Sequence, residues 1–296
     1  MKVNATRLIR KMRGGSQAHL LECDDGHSYV VKFMNNPQHQ RILVNEWLAS
    51  SILARLEIST PEIAIVNMAK ELLAEEPDIY IDQRCRKTVV PGQHFGSRYP
   101  GSPGKAMVYD FVPDKLLGRV ANRTDFIGTL VVDKWTGNAD ARQAIFSRLR
   151  PPGKCGNTFR QGLWYVSMID QGGAFGGPSW RFLDSPLQGM YFRPSVYQSI
   201  RSLDDFQPWL DRAMCFPVEE FESMRVEIPP EWIAGDQRAL EELIDRLLAR
   251  RTQLPQLIAN AVRAPQNPFP LWSGTSVSQV RPRDLGLAPL DQSRPD

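Results

Sequence analysis

The chain has 296 residues, 42% of them hydrophobic, and 36 Lys and Arg against 33 Asp and Glu give a formal net charge of +3. That length buries a full core as one large domain or two small lobes, and so mild a basicity, with no cationic run flanked by aromatics, argues against a nucleic-acid partner. No apolar stretch approaches the ~18 residues of a membrane helix, the amino terminus lacks the apolar core of a secretory signal, and neither the histidines nor Cys23, Cys85, Cys155 and Cys215 show metal spacing, so the expectation is a cytoplasmic protein with free thiols.

Taken in chain order, Gly14-Gly15-Ser16-Gln17 is the first punctuation. Glycines between strands expose backbone N–H groups in a concave array that receives phosphate oxygens. Alternation over Ala18–Cys23 and Ser28–Phe33 about an Asp24-Asp25-Gly26 turn predicts a hairpin. In its second strand Tyr29, Val31 and Phe33 share one face, while Lys32 shares the other with Val30. A lysine on the face beneath a glycine loop is placed to meet nucleotide phosphates, and if buried it needs an anion. The helix predicted over 41–56, with Ile42, Leu43, Leu48, Ile52, Leu53 and Leu56 at helical spacing, offers Glu46.

Ile63, Ile65 and Val66 suggest a strand after Pro61, and the Pro/Gly-rich stretch 89–106 is read as a lobe boundary before an apolar strand at 107–112. Helices are predicted at 125–135 and 236–248, and a buried strand at 163–169. Trp135, Trp164, Trp180 and Trp209 read as core, His94 as structural, and Arg246, Arg250 and Arg251 as a solvated face. The tail 273–296 reads as disordered.

Two segments carry chemistry. DKWTGNADARQAIF, residues 133–146, packs acidic and amide side chains into a bent loop after a helix; Asp140 is the candidate base, Asp133 caps or orients the loop, and Arg142 pairs with phosphate or holds the loop. WYVSMIDQGGAFGG, residues 164–177, ends an apolar strand in Asp170 before Gly172-Gly173, where a hard oxygen donor fixed on one side suits magnesium.

Together RGGSQAHLL, DGHSYVVKF, LVNEWLAS, HFGSRYPG, MVYDFVP, DKWTGNADARQAIF, MIDQGGAFGG and the closing NPFPLW resemble, in order, segments of the HipA-like kinase family, whose fold is similar to protein kinases and phosphatidylinositol kinases. The resemblance implies an α+β, two-lobed fold: a β-rich N-lobe at 1–106, a hinge at 107–113 and a mainly helical C-lobe at 114–272. It implies MgATP as the bound nucleotide, with Gly14, Gly15, Ser16, Gln17 and Lys32 on the phosphates, Glu46 on Lys32, and backbone groups of Asp110, Phe111 and Val112 on adenine. Asp140 is then the catalytic aspartate and Asp170 the Mg2+ ligand. The family's metal-binding asparagine, five residues after that aspartate, is Ile145 here, so either Gln143 or Asn138 supplies the oxygen, or the second magnesium site is weak, or nucleotide is bound without efficient transfer; Arg142 stands where a histidine is usual. The expected acceptor is a hydroxyl, serine or threonine of a protein, with a nucleotide-sensing module that does not transfer as the alternative.

Overall fold

The computed structural model describes residues 1–82, 85–149 and 163–273; Cys155 and the tail from 274 on lie outside them. The first strands are β1 (Lys2–Lys11), β2 (His19–Cys23) and β3 (Ser28–Lys32), followed by helix α1 (Arg41–Arg55) and β4 (Ile63–Met68). After α2 (Lys70–Glu75) and a small hairpin of β5 (Tyr80–Ile81) and β6 (Lys87–Thr88) comes β7 (Gly92–Arg98). These close a barrel in the order β1-β2-β3-β7-β4. Its interior holds Val3, Leu21, Tyr29, Val31, Phe33 and Val66, so of the two faces of β3 the one shared by Tyr29, Val31 and Phe33 turns inward and Lys32 points out of the barrel.

Two barrel strands escape the sequence pattern. In β1 the register shifts between Ala5 and Arg7 and again between Leu8 and Arg10, and such bulges break the period of two on which a strand assignment rests. Strand β7 lies inside the Pro/Gly-rich stretch. Its Gly96 is there for close approach, since a Cβ on it would lie 2.5 Å from Val66 Cγ2.

The remainder is mainly helical around one small sheet. β8 (Val108–Tyr109), β9 (Gln143–Ser147) and β10 (Tyr165–Ile169) form it in the order β10-β9-β8. Helices α3 (Asp114–Leu117), α4 (Asp125–Thr136), α5 (Trp209–Met214), α6 (Val218–Val226), α7 (Gln237–Arg250) and α8 (Leu254–Val262) complete it. Because β8 pairs with β9, the crossover out of the barrel is 99–107, and Val108 and Tyr109 of the expected hinge lie on the second sheet. Helix α1 is buried on nearly every side, Asn45, Glu46, Ser50 and Ser51 included, because it is packed between barrel and helical part. It is tied to the latter through Trp47 Nε1–H, which donates to the Met224 carbonyl at 3.3 Å. In α7 the stripe Leu240, Leu243, Ile244 and Leu247 is buried. Arg250 corrects the solvated-face reading: it is buried, donating to the Trp135 and Lys134 carbonyls and pairing with Asp184. Trp135, Trp164 and Trp180 are core, with Trp209 packed against it. No helix among the described residues is long and apolar enough to cross a membrane.

His94 lies in β7, fully buried. Its Nδ1 accepts from the Met34 N–H at 2.9 Å and its Nε2 meets the Val90 carbonyl at 3.0 Å, a pairing that suits the neutral ring. Burial pushes its pKa from 6.5 down to about 4, and burial lowers that of His19 as well. The unfolded chain therefore takes up protons that the folded protein refuses as pH falls from 6.5 towards 4. Stability is full above that window and declines through it, by on the order of 3 kcal/mol for His94. Urea midpoints measured from pH 7 to pH 4 should fall accordingly, and the slope should flatten in His94→Gln.

Candidate active site

Lys32 is drawn from β3 towards α1 and β10. Its Nζ contacts Glu46 Oε1 and donates to Asp170 Oδ1 at 2.8 Å, so three residues distant in sequence meet at one ammonium. Burial opposes the Lys32 charge, but the carboxylates of Glu46 and Asp170 outweigh it and hold its pKa above the ordinary value. Burial raises the pKa of Glu46 despite the lysine. At Asp170 burial pulls upward too, but Lys32 and then Arg142 prevail, and the carboxyl stays below its usual range.

Asp170 has a left-handed backbone, φ 58°, a conformation that costs a non-glycine residue energy and persists only where the surroundings enforce it. The turn after it is glycine by necessity. A Cβ on Gly173 would lie 2.6 Å from Asn138 Oδ1 and 2.7 Å from Asp140 Oδ2, so the loop carrying Asp140 rests directly on the turn that follows Asp170. The Ala139 N–H, donating to the Gly173 carbonyl at 2.8 Å, fastens the two. Asp140 itself is exposed beside this junction.

Arg142 holds the loop from within. It is 3% exposed and Asp133 1%, and its Nε donates to Asp133 Oδ2 at 2.9 Å while Nη2 takes Oδ1. Its Nη1 donates to the Ile169 carbonyl at 3.1 Å and to Gln171 Oε1 at 2.7 Å. Burial works against this guanidinium and Asp133 more than compensates, raising its pKa. Of the two readings of Arg142, phosphate partner or loop holder, the geometry is that of the holder.

The two candidate amides separate. Asn138 is buried with both ends used: Nδ2 donates to Asp133 Oδ1 at 2.9 Å, and Oδ1 accepts from the Asp140 N–H at 3.1 Å. Gln143 is exposed, and its Nε2 donates to Asp170 Oδ2 at 2.9 Å, which leaves its carbonyl oxygen beside that carboxylate. Among the described residues no group of three or more His, Cys, Asp and Glu side chains is gathered as a metal cage. One or two carboxylates with an amide oxygen form a donor set suited to Mg2+, which keeps waters and takes further oxygens from substrate phosphates.

The glycine loop joins β1 to β2, with Gly14 at φ 123°, where a side chain would be strained. The Gln17 N–H donates to the Gly14 carbonyl at 3.2 Å, and the Gln17 side-chain oxygen accepts from the Asp82 N–H. Gln17 thus closes the loop and braces it on the β5–β6 insertion, leaving Gly14, Gly15 and Ser16 as the loop's outer part. At the expected adenine contacts, the Val112 carbonyl already accepts from Arg193 Nη1, and Phe111 lies exposed with the Arg193 guanidinium 5.0 Å from its ring centre.

On β9 the alternate residues Gln143, Ile145 and Ser147 share one face, opposite Ile169, Ser167 and Tyr165 of β10. Beyond its far end is a cavity of about 330 Å³ lined by Thr60, Arg98, Tyr99, Pro100, Ser147 and Ser167, among others, against the crossover from the barrel. A larger cavity of about 510 Å³ lies along α1 at Trp47, Ser50 and Ser51; neither cavity is lined by Lys32 or Asp170, so volume alone does not mark the site.

The sequence reading missed Asn45. Its signal was an amide side chain in the middle of an apolar helical run, next to Glu46.

Residues 5–147 match the model of the HipA-like kinase family, which bears out the resemblance drawn from the motifs; Asp170 lies beyond the matched stretch. No curated protein matches the chain. Among solved structures, the Golgi casein kinase with Mn/ADP bound is similar at 12% identity and a TM-score of 0.44, over 91% of this chain and 73% of that one. The Helicobacter pylori proinflammatory kinase CtkA is similar at 11% identity and a TM-score of 0.48, over 88% and 98%. Likeness at this level carries no residue role across.

Proposed function

We propose that this chain, whose residues 5–147 match the HipA-like kinases, is a two-lobed kinase that binds MgATP and transfers its γ-phosphoryl group to a hydroxyl, a serine or threonine of a protein. The observation that carries the reading is the meeting of Lys32, Glu46 and Asp170, with Asp140 one glycine turn away. In such a site Gly14, Gly15 and Ser16 offer backbone N–H groups to the phosphates, and Lys32, held by Glu46, adds its charge. Asp170 and the Gln143 carbonyl would hold Mg2+, which when bound neutralises charge developing on the phosphates. Asp140 orients the acceptor hydroxyl and takes its proton.

Adenine would be received by backbone groups of Asp110 and Phe111 and by the Val112 N–H, the Val112 carbonyl being engaged by Arg193.

The decisive experiment is a thermal shift with ATP, with and without Mg2+, followed by ADP release and mass spectrometry of any modified protein. ATP at about 100 times its Kd should add about 2.7 kcal/mol, and an added phosphate is the expected product. Stabilisation without ADP release would instead identify a nucleotide-sensing module, and an added AMP would identify nucleotidyl transfer. For the metal, Gln143→Leu removes both the proposed amide ligand and the N–H that orients Asp170, and it is expected to raise the Mg2+ needed for half-maximal turnover roughly 10- to 100-fold; a magnesium titration checks it.

A further inference from the structure

Asn45 has three hydrogen bonds and no contact with solvent. Its Nδ2 donates to the Gly172 carbonyl at 2.9 Å and to the Ala174 carbonyl at 3.0 Å, and its Oδ1 accepts from Trp180 Nε1–H at 2.7 Å. An asparagine is a poor residue for a helix interior and its buried amide is costly unless fully paired, so its place in α1 calls for a use. The use lies in what its partners are. Glu46, the next residue, holds Lys32; Lys32 holds Asp170; and Asn45 holds the carbonyls two and four residues beyond Asp170. The contacts form a closed ring that leaves α1 at Glu46 and returns to it at Asn45.

The turn inside the ring is pressed onto the helix. A Cβ on Gly172 would lie 3.2 Å from Ile42 Cγ2 and 3.5 Å from Glu46 Oε1. It begins at a non-glycine residue with left-handed backbone, Asp170 at φ 58°, and Phe175 directly after it has another, at φ 62°. Trp180, which orients the Asn45 amide, is itself covered by the Arg41 guanidinium at 4.3 Å, and Arg41 forks onto Asp236.

We infer that Asn45 is a positioning residue for the metal-binding carboxylate: its amide holds the 170–174 turn in the conformation that keeps Asp170 at Lys32, so that the phosphate-binding lysine and the metal ligand move with α1 as one unit. This rests on the MgATP reading, and its test is arranged to fail separately from it.

In Asn45→Ala, hydrogen exchange of backbone amides over 171–175 is expected to accelerate about tenfold, with β2 and β3 unchanged. In the same protein the Mg2+ concentration for half-maximal ATP binding, followed by thermal shift, is expected to rise about tenfold. Trp180→Phe, which keeps the ring packing but removes the Nε1–H, should move both readouts in the same direction by less, and it serves if the alanine variant does not fold. Unchanged exchange over 171–175 overturns the inference. So does faster exchange with an unmoved magnesium requirement, which would make Asn45 a structural tie only. A wild-type protein that binds no nucleotide would overturn the MgATP reading, while the exchange measurement would still decide whether Asn45 holds the turn.

Discussion

Replacing Asp140 by asparagine is expected to lower phosphoryl transfer ~10²- to 10⁴-fold, the usual worth of a positioned general base, while leaving stabilisation by MgATP intact. The two readouts separate because Asp140 is exposed at the mouth of the loop and makes none of the Lys32 contacts. Asparagine preserves the shape against Gly173, whose backbone leaves no room for anything that shifts the side chain inward. Asp170→Asn should behave differently. It removes one anion that sustains the Lys32 charge as well as the metal ligand, so magnesium-dependent nucleotide binding should weaken together with turnover. Single-turnover ADP release and thermal shifts on both variants check the pair. Full activity in Asp140→Asn would remove this residue as the base.

Removing the Arg142 guanidinium is expected to destabilise the fold by about 3–5 kcal/mol, the cost of leaving a buried carboxylate without its partner. Arg142 and Asp133 are both buried, and the guanidinium also ties the catalytic-loop segment to the Ile169 carbonyl and Gln171. The midpoint of urea unfolding for Arg142→Ala reads the loss. In the double variant Asp133→Leu, Arg142→Met the cost should be well below the sum of the single ones, because no charge is left unpaired. A phosphate-binding arginine would give the opposite pattern, with near-normal stability and weakened ATP binding.

Much of this was legible in the sequence because it rests on short-range rules. The Asp24-Asp25-Gly26 hairpin, the face shared by Tyr29, Val31 and Phe33, the helix bearing Glu46 and the strand ending at Asp170 all follow from period and turn chemistry. Strands β1 and β7 were not legible, since bulges break the period of one and glycines needed for close approach disguise the other. Of the expected hinge MVYDFVP only Val108–Tyr109 is strand, and its pairing with β9, which no local period records, puts those two residues on the second sheet.

What the sequence by itself determined is the set of chemical groups and the local frames that present them: a cation on a strand face, a carboxylate on a helix, a second at a strand end before glycines, a third in a bent loop. Which of them meet, and which are sealed away, was decided only by tertiary structure. Arg142 and Gln143 are neighbours in the chain, yet one is buried on Asp133 and the other reaches Asp170; Asn138 is spent inside its loop; and Asn45 closes a ring across 127 residues. The physical reason is that a buried polar group must find its partners wherever the packed elements bring them, and that choice depends on distances between elements, which no spacing along the chain records.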